Sequence, residues 1–331
     1  DEKAAGELSQ WLGEVTGARF SIVSESETLA TTKYISVGRT ELLRQVDLPA
    51  AGKDLGDEGY AIAVRGDDLF LLGGRKRGPI CAVFALLEED IGCRWYTNGT
   101  STIPQLRHLT VRPVLRSFVP VLRIRDPFYW DAFDGTWSLR NRTNAPNAGI
   151  PEKWGGHVNY AAGWFVHTFD RIISAKDYFD EHPEYFSEID GERRPLIPGH
   201  RPGQLCLTNP DVVCITIDTV LGVLDGHPNA ELISVSQNDG GGGYCRCVAC
   251  SAVNQAECSP AGTLVRFVNQ VAEAVEKKRP DVRISTLACQ ETFTPPKLTR
   301  PRENVVIRLC TDTHAWGNPF LFVTETDKFQ N

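Results

Sequence analysis

The chain has 331 residues, of which 41% are hydrophobic and 23% charged, and its net charge is −7 with a pI near 5.6. This composition is typical of an ordinary globular protein with one large domain or two smaller ones. The acidic balance argues against a nucleic-acid-binding or anionic-membrane surface, and no apolar run reaches the roughly 18 residues of a membrane span.

Residues 1–113 predict a small α/β domain. Apolar residues recur at helical spacing over residues 2–16, and Gly17 follows them as a helix C-cap would. Two apolar segments, 59–65 and 68–73, flank a Gly-Asp turn and so predict a β-hairpin. A second helix is predicted after the hairpin, and Pro113 marks the domain boundary.

Residues 114–331 alternate between predicted strands and helices, which indicates a parallel sheet with crossover helices. The predicted helices are 174–181, 211–224 and 261–278, and the predicted strands are 121–125, 164–167, 204–208, 231–236, 283–288 and 305–310. About six βα units fit this length, whereas a closed (β/α)8 barrel of the TIM type needs eight. We therefore expect a TIM-type barrel whose last units lie beyond this chain, which also begins at Asp1 without a methionine or a signal peptide.

The fourth predicted strand points to a functional site. Its apolar residues run directly into Gln237, Asn238 and Asp239, and a run of glycines follows. In α/β barrels, side chains at the C-terminal ends of strands line the mouth of the active site. The alternative is a simple turn, because Asn, Asp and Gly all favour turns.

Other predicted strand ends carry residue types that suit a carbohydrate site. Carboxylates supply acid–base chemistry, amides bind hydroxyl or acetamido groups, and tryptophans stack on sugar faces. The candidates are Arg123, Arg125, Asp126 and Trp130 after the first strand, Trp164 and His167 at the second, Gln290 and Glu291 after the fifth, and Asp312, His314 and Trp316 after the sixth. Structural alternatives exist for each kind: the arginines could pair with carboxylates, the tryptophans could pack in the core, and Glu291 could lie in a solvated loop.

Ten cysteines are an unusual number for a domain of this size. Cys245, Cys247 and Cys250 form a Cys-x-Cys-x-x-Cys motif, and Cys258 follows eight residues later. This density fits either a structural zinc site or a pair of disulfides that staple the loop, with free thiols as a third possibility. Sequons at Asn98 and Asn141 favour a secreted glycoprotein, in which disulfides would form.

Six motifs resemble the bacterial domain-of-unknown-function family 4838, which overlaps glycoside hydrolase family 163. The motifs are Gly92-Cys-Arg-Trp-Tyr96, Val166-His-Thr-Phe169, His182-Pro-Glu-Tyr-Phe186, Gln204-Leu-Cys-Leu-Thr-Asn-Pro210, Ser234-Val-Ser-Gln-Asn-Asp239 with the cysteine loop, and Val306-Ile-Arg-Leu-Cys310. The resemblance implies a β-hexosaminidase domain 2-like domain before a (β/α)8 barrel. It also implies endo-β-N-acetylglucosaminidase activity on complex N-glycans. Cys289 departs from the aromatic residue expected in relatives.

The resemblance implies a mechanism in which the substrate's own acetamido oxygen is the nucleophile. We expect Asp239 to be the essential carboxylate and Asn238 or Gln237 to hold the acetamido group, with Asp312 as a further catalytic candidate. The expected substrate-binding residues are His167, Arg125, Trp130, Trp164 and His314. No cofactor is expected, apart from zinc if the cysteines bind it.

The expected partner is a carbohydrate or the glycan of a glycoprotein, and the expected location is secreted or extracellular. The competing hypothesis is a non-catalytic glycan-binding or structural module of a larger extracellular protein or assembly. The incomplete barrel and the extra cysteines favour that alternative.

Overall fold

The computed structural model describes residues 1–24, 33–45, 54–111, 115–197, 201–240 and 242–310. The protein is mixed α/β and divides into two compact units, Asp1–Val158 and Asn159–Asn331. The boundary predicted at Pro113 falls outside the described residues and stays a prediction. None of the helices in the described ranges is long and apolar enough to cross a membrane.

The first unit is built on a four-stranded sheet with the order β1-β3-β2-β6. Strands β2 and β3 form the predicted antiparallel hairpin, whereas β1 runs parallel to β3. The strands of this unit are β1 (Ile35–Val37), β2 (Tyr60–Arg65), β3 (Asp68–Gly73), β4 (Arg94–Trp95), β5 (Ser101–Thr102) and β6 (Leu115–Phe118).

Two predicted helices form the core of the first unit with this sheet. Helix α1 (Glu2–Thr16) is amphipathic and buries Leu8, Trp11 and Leu12. Helix α2 (Gly78–Ala85) contains only apolar residues and is buried on all sides, and a π-helical segment, Leu86–Ile91, continues it. A short helix, α3 (Gly135–Arg140), lies later in this unit.

The second unit contains a parallel sheet with the order β11-β12-β13. In its register Ile233 pairs with Ile284, and Ile284 pairs with Val305. The strands of this unit are β7 (Glu188–Ile189), β8 (Glu192–Arg193), β9 (Leu196–Ile197), β10 (Arg201–Pro202), β11 (Leu232–Ser234), β12 (Arg283–Ala288) and β13 (Val305–Leu309).

The two long helices of the second unit are where the sequence predicts them. Helix α6 (Pro210–Asp225) begins at Asn209, whose side-chain oxygen accepts the backbone N–H of Asp211 at 2.8 Å. The apolar face of α8 (Ala261–Lys278) packs in the same core cluster as the sheet. The remaining helices are α4 (Phe169–Ile172), α5 (Ala175–Tyr178) and α7 (Val248–Glu257). The segment of α7 was predicted as a loop, and that prediction is wrong.

The described residues do not form a closed barrel. Within the described ranges, the sheet is extended beyond β11, β12 and β13 only by a single parallel bridge from Tyr160 to Leu232. The predicted strands 121–125, 164–167 and 204–208 are wrong, and with them the expectation of about six βα units. Val121 is 94% exposed, so the apolar residues of 121–125 do not mark a buried strand. The segment 164–167 ends in a left-handed residue, His167, with φ 55°.

Glu257 joins the end of α7 to the segment before β13, although its side chain is fully buried. Its carboxylate accepts the backbone N–H groups of Leu298 and Thr299 at 2.7 and 2.9 Å and the Arg266 guanidinium at 2.6 Å. The Thr299 hydroxyl also donates to this carboxylate. Together these donors lower the pKa of Glu257 to about 2 despite its burial, and the Thr299 hydroxyl has the largest effect. The charged form is therefore the one that the fold stabilises.

We predict that this carboxylate makes stability depend on pH. Because its folded pKa lies below the unfolded value of about 4.3, its stabilisation is present above that pH and is lost as the pH falls toward about 2. In urea titrations, the difference in free energy of unfolding between wild type and E257Q should shrink across this range. The exposed E273Q variant on α8 is the matched control, and a pH-independent difference for E257Q would contradict the assignment.

Candidate functional site at the edge of the parallel sheet

The C-terminal ends of β11 and β12 meet at one edge of the sheet, because the two strands are adjacent and parallel. Gln237, Asn238 and Asp239 follow β11, and Gln290 and Glu291 follow β12. The structure therefore brings the predicted fourth and fifth strand ends together. Crevices outside the carboxyl ends of parallel strands are the usual ligand sites of such sheets.

His167 is held at this edge by β11 and the residues after it. Its backbone N–H donates to the Ser236 hydroxyl at 2.9 Å, and its Nδ1 lies 2.9 Å from the Gln237 carbonyl. A carbonyl only accepts hydrogen bonds, so Nδ1 must carry a proton and Nε2 is the free acceptor of the neutral ring. The left-handed backbone of His167 fixes this geometry.

Asn238 is buried, and all its polar groups are used inside the protein. Its backbone N–H donates to Gln204 Oε1 at 3.0 Å, and its carbonyl accepts from Gln204 Nε2 at 2.9 Å. Its side-chain amide donates to the Gly203 carbonyl at 2.7 Å and accepts the N–H of Asp170 at 2.9 Å. The amide expected to grip an acetamido group is therefore a structural clamp between three chain segments.

Gln237 is buried at this edge, and Tyr244 is half-buried beside it. Gln237 Nε2 donates to the Thr292 hydroxyl at 2.9 Å, and Gln237 Oε1 is buried without a hydrogen-bond partner in the described part of the chain. Burial raises the pKa of Tyr244 to about 12, although hydrogen bonding with the side chains of Thr292 and Gln237 lowers it in part. The Tyr244 phenol thus stays protonated at neutral pH and can donate a hydrogen bond.

Two carboxylates lie at the same edge, close to the glycines that follow Asp239. Asp239 and Glu291 are exposed, and Glu291 Oε1 lies 3.5 Å from the place that a Cβ on Gly242 would occupy. Gly242 and Gly243 have φ of 78° and 77°, a conformation that favours glycine. Asp239 and Tyr244 thus lie on the two sides of the glycines in the sequence, and Gly242 lies next to Glu291.

The remaining predicted site residues lie elsewhere or outside the described chain. Trp164 is half-buried and packs against the core of the second unit. Asp312 and His314 fall outside the described residues and stay predictions. Trp130 and Arg125 belong to the first unit, where Trp130 is 83% exposed.

Arg125 takes the structural alternative, since it pairs with the buried Glu58. Its guanidinium also donates to the carbonyls of Arg142 and Leu122 at 2.8 and 2.7 Å. Arg77 donates to Glu58 from the other side through Nε at 2.6 Å. These contacts satisfy the buried charge of Glu58, and Arg125 is therefore engaged within the first unit.

The cysteines form a cluster rather than disulfides. None of the ten forms a disulfide within the described residues, so the predicted disulfides are not formed in the structure. Cys206, Cys245, Cys247 and Cys250 are buried together, and their sulfur atoms lie within 4.8 Å of one another. Cys206 Sγ is 3.8 Å from Cys247 Sγ, well beyond the S–S bond length of about 2.0 Å. Cys258, the predicted fourth member, is exposed at the end of α7.

A groove of about 760 Å³ lies in the first unit and is lined by α1, Lys76 and Trp154. Its buried carboxylate, Glu7, is already engaged by Lys3 at 2.5 Å and by Trp11 Nε1 at 2.9 Å. Lys3 also lies over the Trp154 ring, 4.4 Å from its centroid. These contacts engage the buried carboxylate of the groove, and we place the candidate site at the sheet edge instead.

The sequence profile of the DUF4838 family, a domain of unknown function, matches residues 95–331, and the chain belongs to this family. A comparison with curated proteins gave no match.

Three solved structures illustrate the similarity to known proteins, at low identity. The GH20 β-N-acetylhexosaminidase of Streptomyces coelicolor A3(2) is 14% identical with a TM-score of 0.40, over 93% of this chain and 63% of that one. The GH89 protein of Clostridium perfringens bound to GlcNAc-α-1,4-galactose is 10% identical with a TM-score of 0.43, over 92% and 39%. A Streptomyces plicatus β-hexosaminidase bound to GlcNAc is 13% identical with a TM-score of 0.39, over 93% and 62%. This chain spans less than two thirds of each, and likenesses of this degree define neither its fold nor its activity.

Three residues at this edge, Glu291, Tyr244 and Gln204, matter more to the candidate site than the sequence indicates. The sequence offers Glu291 as a candidate with a solvated loop as the alternative, and the structure places it, exposed, just after β12. Tyr244 follows the glycines directly, and Gln204 is the first residue of the segment 204–208 that was predicted as a strand. Of these, only the position of Glu291 had a clear signal, namely the adjacency of two parallel strands.

We predict that Asn238 contributes to stability far more than Asp239 does. N238A would leave the Gly203 carbonyl and the Asp170 N–H without their partner, which should cost about 1–3 kcal/mol in the free energy of unfolding. D239A, at an exposed position, should cost much less. Urea denaturation of both variants checks this, and equal losses would show that the Asn238 clamp is not structural.

Proposed function

We propose that this protein is a glycoside hydrolase acting on N-acetylglucosamine-containing glycans, with its active site at the edge of β11 and β12. The observation that carries the proposal is that Asp239 and Glu291 follow two adjacent parallel strands, β11 and β12, and so lie at one edge of the sheet. Most glycosidases work with carboxyl groups next to the scissile bond. The resemblance of the sequence to glycoside hydrolase family 163 favours the same class and, more narrowly, an endo-β-N-acetylglucosaminidase.

The proposed chemistry is substrate-assisted. The acetamido oxygen attacks C1 as the bond between C1 and the leaving oxygen breaks, and a carboxylic acid gives its proton to that oxygen. Water then opens the cyclic intermediate at C1 and returns a proton to the carboxylate. We assign the proton transfers to Asp239, and Glu291 supplies negative charge that stabilises the positive charge developing on the sugar.

The acetamido group needs partners that hold its oxygen toward C1. The Asn238 side-chain amide is already bonded to the Gly203 carbonyl and the Asp170 N–H, so we do not assign this task to it. The Tyr244 phenol, protonated because burial raises its pKa to about 12, is the donor that we assign to the acetamido oxygen. Gln237 Oε1, buried without a partner among the described residues, is the acceptor that remains for the acetamido N–H.

The carboxylates of Asp239 and Glu291 provide one test of this proposal. D239N should lower kcat/KM by about 10²–10⁴, the usual contribution of a general acid, and E291Q should lower it as well. The assay is mass spectrometry of glycans released from a complex N-glycoprotein by the full-length protein. E303Q is the matched control, since Glu303 is an exposed carboxylate just before β13, at the opposite edge of the same sheet.

Each outcome of this assay separates the hypotheses. Release that leaves one N-acetylglucosamine on the protein and is lost in D239N supports the proposal. Release that D239N does not change keeps the hydrolase and rejects this site. No release by the folded protein from a panel of glycans would instead support a glycan-binding module.

The second prediction concerns Tyr244. Y244F removes one hydrogen-bond donor while keeping the ring, so we expect kcat to fall by about 10² without loss of the fold. The effect should be confined to substrates with an N-acetyl group. Equal losses on a substrate without that group would mean that Tyr244 acts on the fold of the site rather than on the acetamide.

A further inference from the structure

Four buried sulfurs converge next to the candidate site. Cys206, Cys245, Cys247 and Cys250 are 4%, 6%, 9% and 1% exposed. Cys206 Sγ lies 3.8 Å from Cys247 Sγ and 3.9 Å from Cys250 Sγ. Every pair of sulfurs in the cluster is within 4.8 Å. A hydrophobic core has no need to gather four thiols in this way.

The spacing matches a metal-centred tetrahedron. Zinc binds thiolate sulfur at about 2.3 Å, which places neighbouring sulfurs of a tetrahedral site about 3.8 Å apart. Four protein ligands fill that coordination sphere and leave no position for water or substrate. We propose that Cys206, Cys245, Cys247 and Cys250 hold one structural zinc ion.

The surroundings of the sulfurs suit thiolates. The backbone N–H of Glu188 donates to Cys245 Sγ at 3.3 Å, and the Arg193 guanidinium lies 3.7 Å from the same sulfur. The Thr208 hydroxyl is 3.2 Å from Cys250 Sγ. Cys247 is the N-cap of α7 and Cys250 lies in its first turn, where the helix dipole favours negative charge. These groups offset the net charge of −2 that zinc and four thiolates carry together.

The fourth ligand distinguishes this site from the set that spacing alone suggests. Cys258 is closer in sequence to the motif, but it is exposed, and its thiol is 3.8 Å from the Gln255 carbonyl. Cys206 comes from a segment almost 40 residues before the motif, and the fold brings it in. The ligand set therefore closes a long loop, in which metal binding stabilises the folded chain.

The site also connects to the candidate active edge. Cys206 lies two residues after Gln204, which exchanges two hydrogen bonds with the backbone of Asn238. Cys245 directly follows Tyr244. Zinc would thus fix both ends of the loop that carries Asp239, although it takes no part in the chemistry.

The test is the metal content of the full-length protein. After exhaustive dialysis, elemental analysis should find one zinc per chain in wild type and in the matched control C258S, and much less in C206S and C250S. Cobalt substituted into wild type should show the charge-transfer and ligand-field absorption of a tetrahedral tetrathiolate. Thiol titration of native wild type should release the zinc as four cysteines react.

Measurements on wild type decide the matter even if C206S fails to fold. Wild type without zinc and with four freely reactive thiols would overturn the proposal, as would disulfides among these cysteines or a stoichiometric amount of iron. If C206S keeps its zinc and C258S loses it, the ligand set assigned here is wrong.

Discussion

Gln204 and Asn238 exchange two hydrogen bonds, of 3.0 and 2.9 Å, and the candidate site depends on this pair. Through them, the end of β11 is joined to the segment that leads into α6. The Asn238 side chain then fixes Gly203 and Asp170. Buried polar groups at a strand end need hydrogen-bond partners, and Asn238 finds its partners within the protein, whereas the next residue, Asp239, faces solvent.

Buried charge is handled in the same way in both units. Glu58 is 7% exposed and pairs with two arginines, and Glu257 is fully buried and surrounded by backbone and side-chain donors. The buried cysteine cluster, with Arg193 beside it, follows the same rule if the sulfurs carry charge. By contrast, Asp239 and Glu291 are exposed and lie where the parallel strands end. This contrast is why we separate the structural carboxylates from the proposed catalytic ones.

The sequence predicted the elements that have strong periodicity or clear caps. Helices α1, α6 and α8, the β2–β3 hairpin and strands β11, β12 and β13 were all foreseen, and so was the polar edge after β11. Apolar residues at 121–125 and 164–167 predicted strands that do not exist, because exposure and a left-handed residue do not show in hydrophobic patterning. The structural role of Asn238 and the place of Cys206 in the cysteine cluster could not be predicted, since both depend on contacts between residues more than 30 positions apart.

The proposed function requires that a sugar occupy the edge where β11 and β12 end. A crystal structure of the protein soaked with N-acetylglucosamine tests this directly. We predict density for the sugar beside Asp239 and Glu291, with its acetamido oxygen within hydrogen-bond distance of the Tyr244 phenol. A sugar bound instead in the groove of the first unit or beside Trp130, with this edge empty at saturating ligand, would contradict the claim.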